Sequence, residues 1–167
     1  MEHGPRGSGL LAESAALLEH SPFGALMRDS LWLYPAANLL HLFGLVLLVG
    51  GIALLDLRLV GFGRALPVLA VSRLLTRVAL VGLALMVATG AMLFAADAGP
   101  LASADVFQLK IVVIVAALAN AIAFRWLWNR SLPDWDHTPP LLGRIQAAGS
   151  IVLWFLAGAL GRLIAYG

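Results

Sequence analysis

The stretch Leu31 to Gly61, LWLYPAANLLHLFGLVLLVGGIALLDLRLVG, limits what this chain can fold into more than any other. Between Pro35 and Asp56 only Asn38 and His41 interrupt an apolar run. A helix that crosses a bilayer needs roughly 20 consecutive, mostly apolar residues, and this run supplies them. A polar side chain inside such a helix is costly and generally has a partner or a task. Of the four histidines only His41 sits in an apolar run, so its presence needs a reason.

The remainder is of the same kind. Apolar residues make up 61% of the chain and charged residues 12%, with a mean hydropathy of +0.93. Soluble domains average about 45–50% and about 25%. So little polar surface predicts an integral membrane protein, and 167 residues fit one domain. The pattern predicts an all-α fold: an up-down-up-down bundle of four membrane helices at about 35–55, 78–96, 105–128 and 144–164. Residues 1–30 precede it as a tail with short interfacial helices. Within them, residues 1–9 read as disordered, and Leu10 to Glu19 reads as an amphipathic helix too short to span. Ser21 and Pro22 are placed as N-cap and first residue of a short helix through Arg28. Trp32 and Tyr34 follow as interfacial anchors.

Charge gives the orientation. The first connection holds Arg58, Arg64, Arg73 and Arg77, with Pro67 as a helix breaker. The third, the proline-rich Ser131 to Gly143, is flanked by Arg125, Arg130 and Arg144. The second offers Asp97 and Asp105 and no base before Lys110. Cytoplasmic loops carry the excess of Lys and Arg, so both termini are expected outside. The net charge of +2 is small and its bases sit at the ends of apolar runs, which is no nucleic-acid footprint. The absence of cysteine excludes disulfides, thiolate-bound metals and c-type haem attachment. The first thirty residues carry Glu2, Glu13, Glu19 and Asp29 and no cleavable signal pattern, so the first span is expected to direct insertion.

Small residues mark packing faces. His41, Gly44, Leu48 and Gly51 share one stripe, Gly82, Met86 and Gly90 another, and Gly158 and Gly161 lie on the last helix. Small residues let membrane helices approach closely, which is the expected role. A glycine beside a histidine also leaves room for a flat cofactor.

Counting from the charged ends compares depths. Asp56 to His41, Arg77 to Met92 and Arg125 to Lys110 are each 15 residues apart, roughly 22 Å of helix. A histidine, a methionine and a lysine on three helices therefore share a layer in the outer half of the bilayer. Each also has a simpler reading. His41 and Asn38 would hydrogen-bond a neighbouring helix, Lys110 would snorkel past Asp105, and Met92 and Met86 would fill space. The alternative is that neutral imidazole at His41 ligates a metal. Zinc or copper asks for three or four ligands that the spans do not offer. Haem b needs only one histidine in an apolar bundle. Its sixth position would then be Met92, Lys110, water or empty, unless His20 or His3 folds over the outer surface. Lys110 and Arg162 are the cations nearest that surface for the propionates.

Helix 1 with HLFGLVLLVGG, the arginine-rich first connection, TGAMLF closing helix 2 and FQLK opening helix 3 together resemble the HemJ/CopD-type group of small four-helix bacterial membrane proteins. The resemblance spans about Leu39 to Arg130, without the tryptophan that commonly follows the helix-1 histidine and with a longer N-terminal extension. It implies a bacterial inner-membrane protein associated with haem b; HemJ-type members oxidise protoporphyrinogen IX. Their functional histidine and lysine fall on His41 and Lys110, with Gly90 and Phe107 as further matches. The expected role is redox, either electron transfer with quinone or oxidation of a tetrapyrrole, with Lys110, provided burial lowers its pKa, taking the proton that accompanies electron removal. The competing expectation is a cofactor-free accessory subunit of a larger membrane complex or homo-oligomer, its glycine stripes and Asn38–His41 pair serving helix and partner contacts. Copper uptake, implied by the CopD side, lacks a Met- or His-rich entry path.

Overall fold

The computed structural model describes residues 6–164, with side chains from residue 13 onward. His3 and the expected disorder of residues 1–5 lie outside the described residues. The helices are α1 (Arg6–Glu19), α2 (Pro22–Asp29), α3 (Leu33–Val60), α4 (Val68–Ala96), α5 (Ala98–Ser103), α6 (Asp105–Trp128) and α7 (Leu141–Leu163). A 3-10 turn covers Leu132–Asp134, and no strand occurs among the described residues. Four helices, α3, α4, α6 and α7, are long and apolar enough to cross a membrane. Their outward faces carry large apolar side chains such as Leu39, Val87, Val112 and Val152. A soluble monomer rarely exposes contiguous apolar surface on that scale.

The largest departures from the sequence reading lie in three places. The second long helix begins at Val68, ten residues before the expected Val78. Pro67 is its N-cap, and Arg73 and Arg77, assigned to a connection, stand exposed on its first turns. A long arginine stem can lie along an apolar helix while its head reaches polar surroundings, so these charges do not end the helix. The first long helix runs on to Val60, which places Asp56 and Arg58 inside it, each only 6% exposed. Between the two helices, Gly61 (φ 124°) and Gly63 (φ 63°) take left-handed backbone that favours glycine. The tail is also more helical than expected, since α1 already includes residues 6–9.

Glycine explains how α3 and α4, the most extensively packed pair, meet. A Cβ on Gly44 would lie 3.2 Å from the Gly82 carbonyl oxygen, and one on Gly51 3.1 Å from the Leu75 carbonyl. At Gly82 a Cβ would overlap the Leu48 backbone nitrogen. Partner numbers fall along α4 as they rise along α3. The packing role expected of the helix-1 stripe is therefore observed, whereas Gly158 on α7 faces open space.

The connection between α6 and α7 is a plug as well as a tether. Trp135 is buried, donates from Nε1 to the Leu59 carbonyl at 3.1 Å, and meets Phe124 and Trp128 at ring-centroid distances of 5.6 and 6.4 Å. Its ring occupies the space a Cβ on Gly143 would need. Asp136 accepts from Arg58 Nη2 at 2.5 Å and from the Val68 N–H at 3.2 Å. This one carboxylate ties the end of α3 to the start of α4.

At the opposite end, α2 starts as expected, with Ser21 Oγ accepting from the Gly24 N–H at 3.1 Å. Arg28 donates to the Ala96 carbonyl (2.9 Å), and Glu19 accepts from the Gly99 N–H (2.7 Å). The short N-terminal helices are thereby fastened to the close of α4 and to α5, while Trp32 stands exposed.

Candidate functional site

His41 sits on the face of α3 that meets α4, where its Nδ1 lies 2.8 Å from Thr89 Oγ1. The Thr89 hydroxyl donates its only proton to the Leu85 carbonyl at 2.6 Å. It can therefore only accept from the ring, which assigns the proton to Nδ1. In the neutral imidazole Nε2 then keeps its lone pair. Thr89 is buried, and a Cβ on neighbouring Gly90 would stand 3.2 Å from His41 Cε1. The small residue is what lets the ring rest against α4.

Lys110 of α6 reaches the same region. It is half-buried, and its charge acts on the His41 ring. Its Nζ occupies the space beside Gly161 of α7, 3.4 Å from where a Cβ would be. All four long helices thus contribute: His41 from α3, Thr89 and Gly90 from α4, Lys110 from α6 and Gly161 from α7. One turn before Lys110, Phe107 stacks on Phe94 of α4, with centroids 5.3 Å apart and planes 12° from parallel.

The other residues singled out in the sequence lie elsewhere. Met92 packs with Met27, Ala37 and Ala96, where α2, α3 and α4 meet. Met86 lies deeper, packed on the cluster that includes Leu48 and Trp154. Arg162 is exposed in the last turn of α7, next to Gly161. His20, just past the end of α1, hydrogen-bonds the Ala16 carbonyl of that helix at 2.8 Å, and Asn38 is exposed. Among the described residues no group of three or more His, Cys, Asp or Glu side chains is placed to hold a metal ion.

Two sets of residues escaped the sequence reading. Thr89, which fixes the histidine tautomer, looks like any threonine in an apolar helix. Its one cue is its place directly before Gly90. Asp56 looks like a helix-ending charge, yet it is buried beside Ser150 of α7 and lines a cavity with Arg125 of α6. The apolar residues that continue past it to Val60 were the available signal.

Compared with family models, curated proteins and solved structures, the chain matches none of them.

Proposed function

We propose that this is an integral membrane redox protein whose four spans alternate in direction, with His41 Nε2 as an axial ligand to haem b. The observation that carries the reading is the Leu85–Thr89–His41 chain of hydrogen bonds. Ligating histidines characteristically donate their other ring N–H to a fixed acceptor, which sets the tautomer and raises ligand basicity. Here the acceptor is held in turn by backbone, and the nitrogen left bare is the one a metal would use. The donor set fits the group. One histidine suffices for haem iron, and the described residues gather no ligand cluster of the kind zinc or copper favours.

Haem b, when bound, supplies a one-electron couple. Everything else falls to the chain. Thr89 and Gly90 set the orientation of the His41 ring, and the half-buried Lys110 offers a charge partner for a carboxylate as the ammonium, or a base for the released proton as the neutral amine. Arginines 58, 64, 125, 130 and 144 gather at the other end of the helices, which supports a cytoplasmic assignment for that end and an outer-leaflet one for His41 and Lys110. The electron partner is a quinone or a tetrapyrrole of the protoporphyrinogen type, as the HemJ resemblance implies, in the inner membrane of a bacterium.

Haem content and tetrapyrrole oxidation, measured together, test the assignment. His41→Ala is expected to purify without haem, and Lys110→Met to keep haem and lose oxidation of the tetrapyrrole. Full haem and full activity in Lys110→Met would remove that residue from the site. A folded, haem-supplied protein that binds none would leave the cofactor-free accessory role.

A further inference from the structure

A cavity of about 450 Å³ lies between α4 and α6, away from His41, and reaches inward to α3 and α7. Its walls are mostly leucine, isoleucine and alanine. Leu80 and Ile122 both line it and are 58% and 69% exposed, so its mouth opens on the outer apolar face of the helices. A hydrogen bond from Arg125 to Thr76 lies beside that mouth.

The inner wall carries what the apolar walls do not explain. Asp56 is 6% exposed and its Oδ2 has no hydrogen-bond partner, although Ser150 engages the carboxyl. Trp154 is 3% exposed and its Nε1 has none either. Ser150 and Trp154 are four residues apart on α7, which brings them to one helix face about 6 Å apart. Leaving a buried donor or acceptor unsatisfied costs free energy, and here two belong to residues that line one cavity.

We infer that this cavity binds a lipid-soluble molecule with an apolar body and a hydroxyl head group, which donates to Asp56 Oδ2 and accepts from Trp154 Nε1. A hydroxyl is the smallest group that both donates and accepts, and it answers both orphans. The mouth on the apolar face excludes a ligand arriving through water. The inference rests on the membrane reading proposed above and is independent of the haem. The hydroxyl can come from a hydroquinone or from a lipid alcohol.

Binding to the full chain in lipid nanodiscs, followed with a radiolabelled decyl-substituted hydroquinone, tests it. Saturable binding is expected, weaker by roughly tenfold for the bis-O-methyl ether of the same compound, which cannot donate. Asp56→Leu and Trp154→Phe are expected to weaken the hydroquinone by a similar factor. Competition by dodecanol as strong as by unlabelled hydroquinone would identify the lipid alcohol as the source. Stronger competition by dodecanol carrying a carboxylate in place of its hydroxyl would put Arg125 in charge and overturn the inference. Equal binding of hydroquinone and ether would also overturn it, and that comparison needs no variant to fold.

Discussion

Asp136→Leu should be among the most damaging substitutions outside the candidate site, and the cost follows from its neighbours. Arg58 is 6% exposed; its Nε donates to the Leu66 carbonyl at 2.7 Å and its Nη2 to Asp136 at 2.5 Å. Removing one member of a buried ion pair costs about 3–5 kcal/mol, because it strands the other charge. The Asp136 side chain is 33% exposed, so water replaces part of what is lost, which lowers that share to about 2 kcal/mol. The lost hydrogen bond to the Val68 N–H, at the start of α4, adds about 1 kcal/mol. The sum is about 3 kcal/mol, to be read from reversible unfolding in mixed detergent micelles. Arg58→Met should cost less, since the carboxylate left behind still meets Val68 and solvent. The double variant should recover to within about 1 kcal/mol of the parent, as apolar replacement of a whole buried pair often does. Asp136→Leu within about 0.5 kcal/mol of the parent, or a double variant as damaged as the sum of the singles, would refute the reasoning.

Three further outcomes are expected. Gly143→Ala drives a methyl into the Trp135 ring and should destabilise by about 1–3 kcal/mol; Gly158→Ala on the same helix meets open space and should be neutral or slightly stabilising by the same unfolding assay. Glu19→Ala removes the acceptor for the Gly99 N–H, so amide exchange should speed up in α1 and around residues 97–103 and stay unchanged in the middle of α3 and α4. Thr89→Val leaves the His41 Nδ1–H without its acceptor; the protein should still bind haem, with a raised midpoint potential in a redox titration, because a less electron-rich imidazole favours the reduced iron.

Much of this architecture is legible in the residues. Four apolar runs became four long helices, the bounds of α6 agree with the reading, and Ser21-Pro22 opens α2. The early start of α4 and the late end of α3 share one physical cause: a charged residue need not be the edge of a span. Arg73 and Arg77 ride on the exposed side of α4, while Asp56 and Arg58 are buried in α3 against partners from the third connection and α7. Only the folded chain supplies those partners. The common depth of His41 and Lys110 could be counted, because each interrupts an otherwise apolar helix. Counting along the chain gives height and not azimuth, so it does not separate Met92 from them, although Met92 turns toward Met27 and α2. Thr89 and the plug formed by Trp135 depend on contacts between residues 48 and 76 positions apart, which local pattern does not encode.

The redox role stands or falls with a haem on His41 Nε2. A reduced-minus-oxidised visible spectrum of the protein purified in mild detergent from haem-supplied cells, with His41→Ala beside it, tests this most directly. A b-type α band is expected near the usual ~560 nm region for histidine-ligated haem, lost in His41→Ala and kept in Thr89→Val. A flat spectrum from folded parent protein, or an unchanged band in His41→Ala, would contradict it.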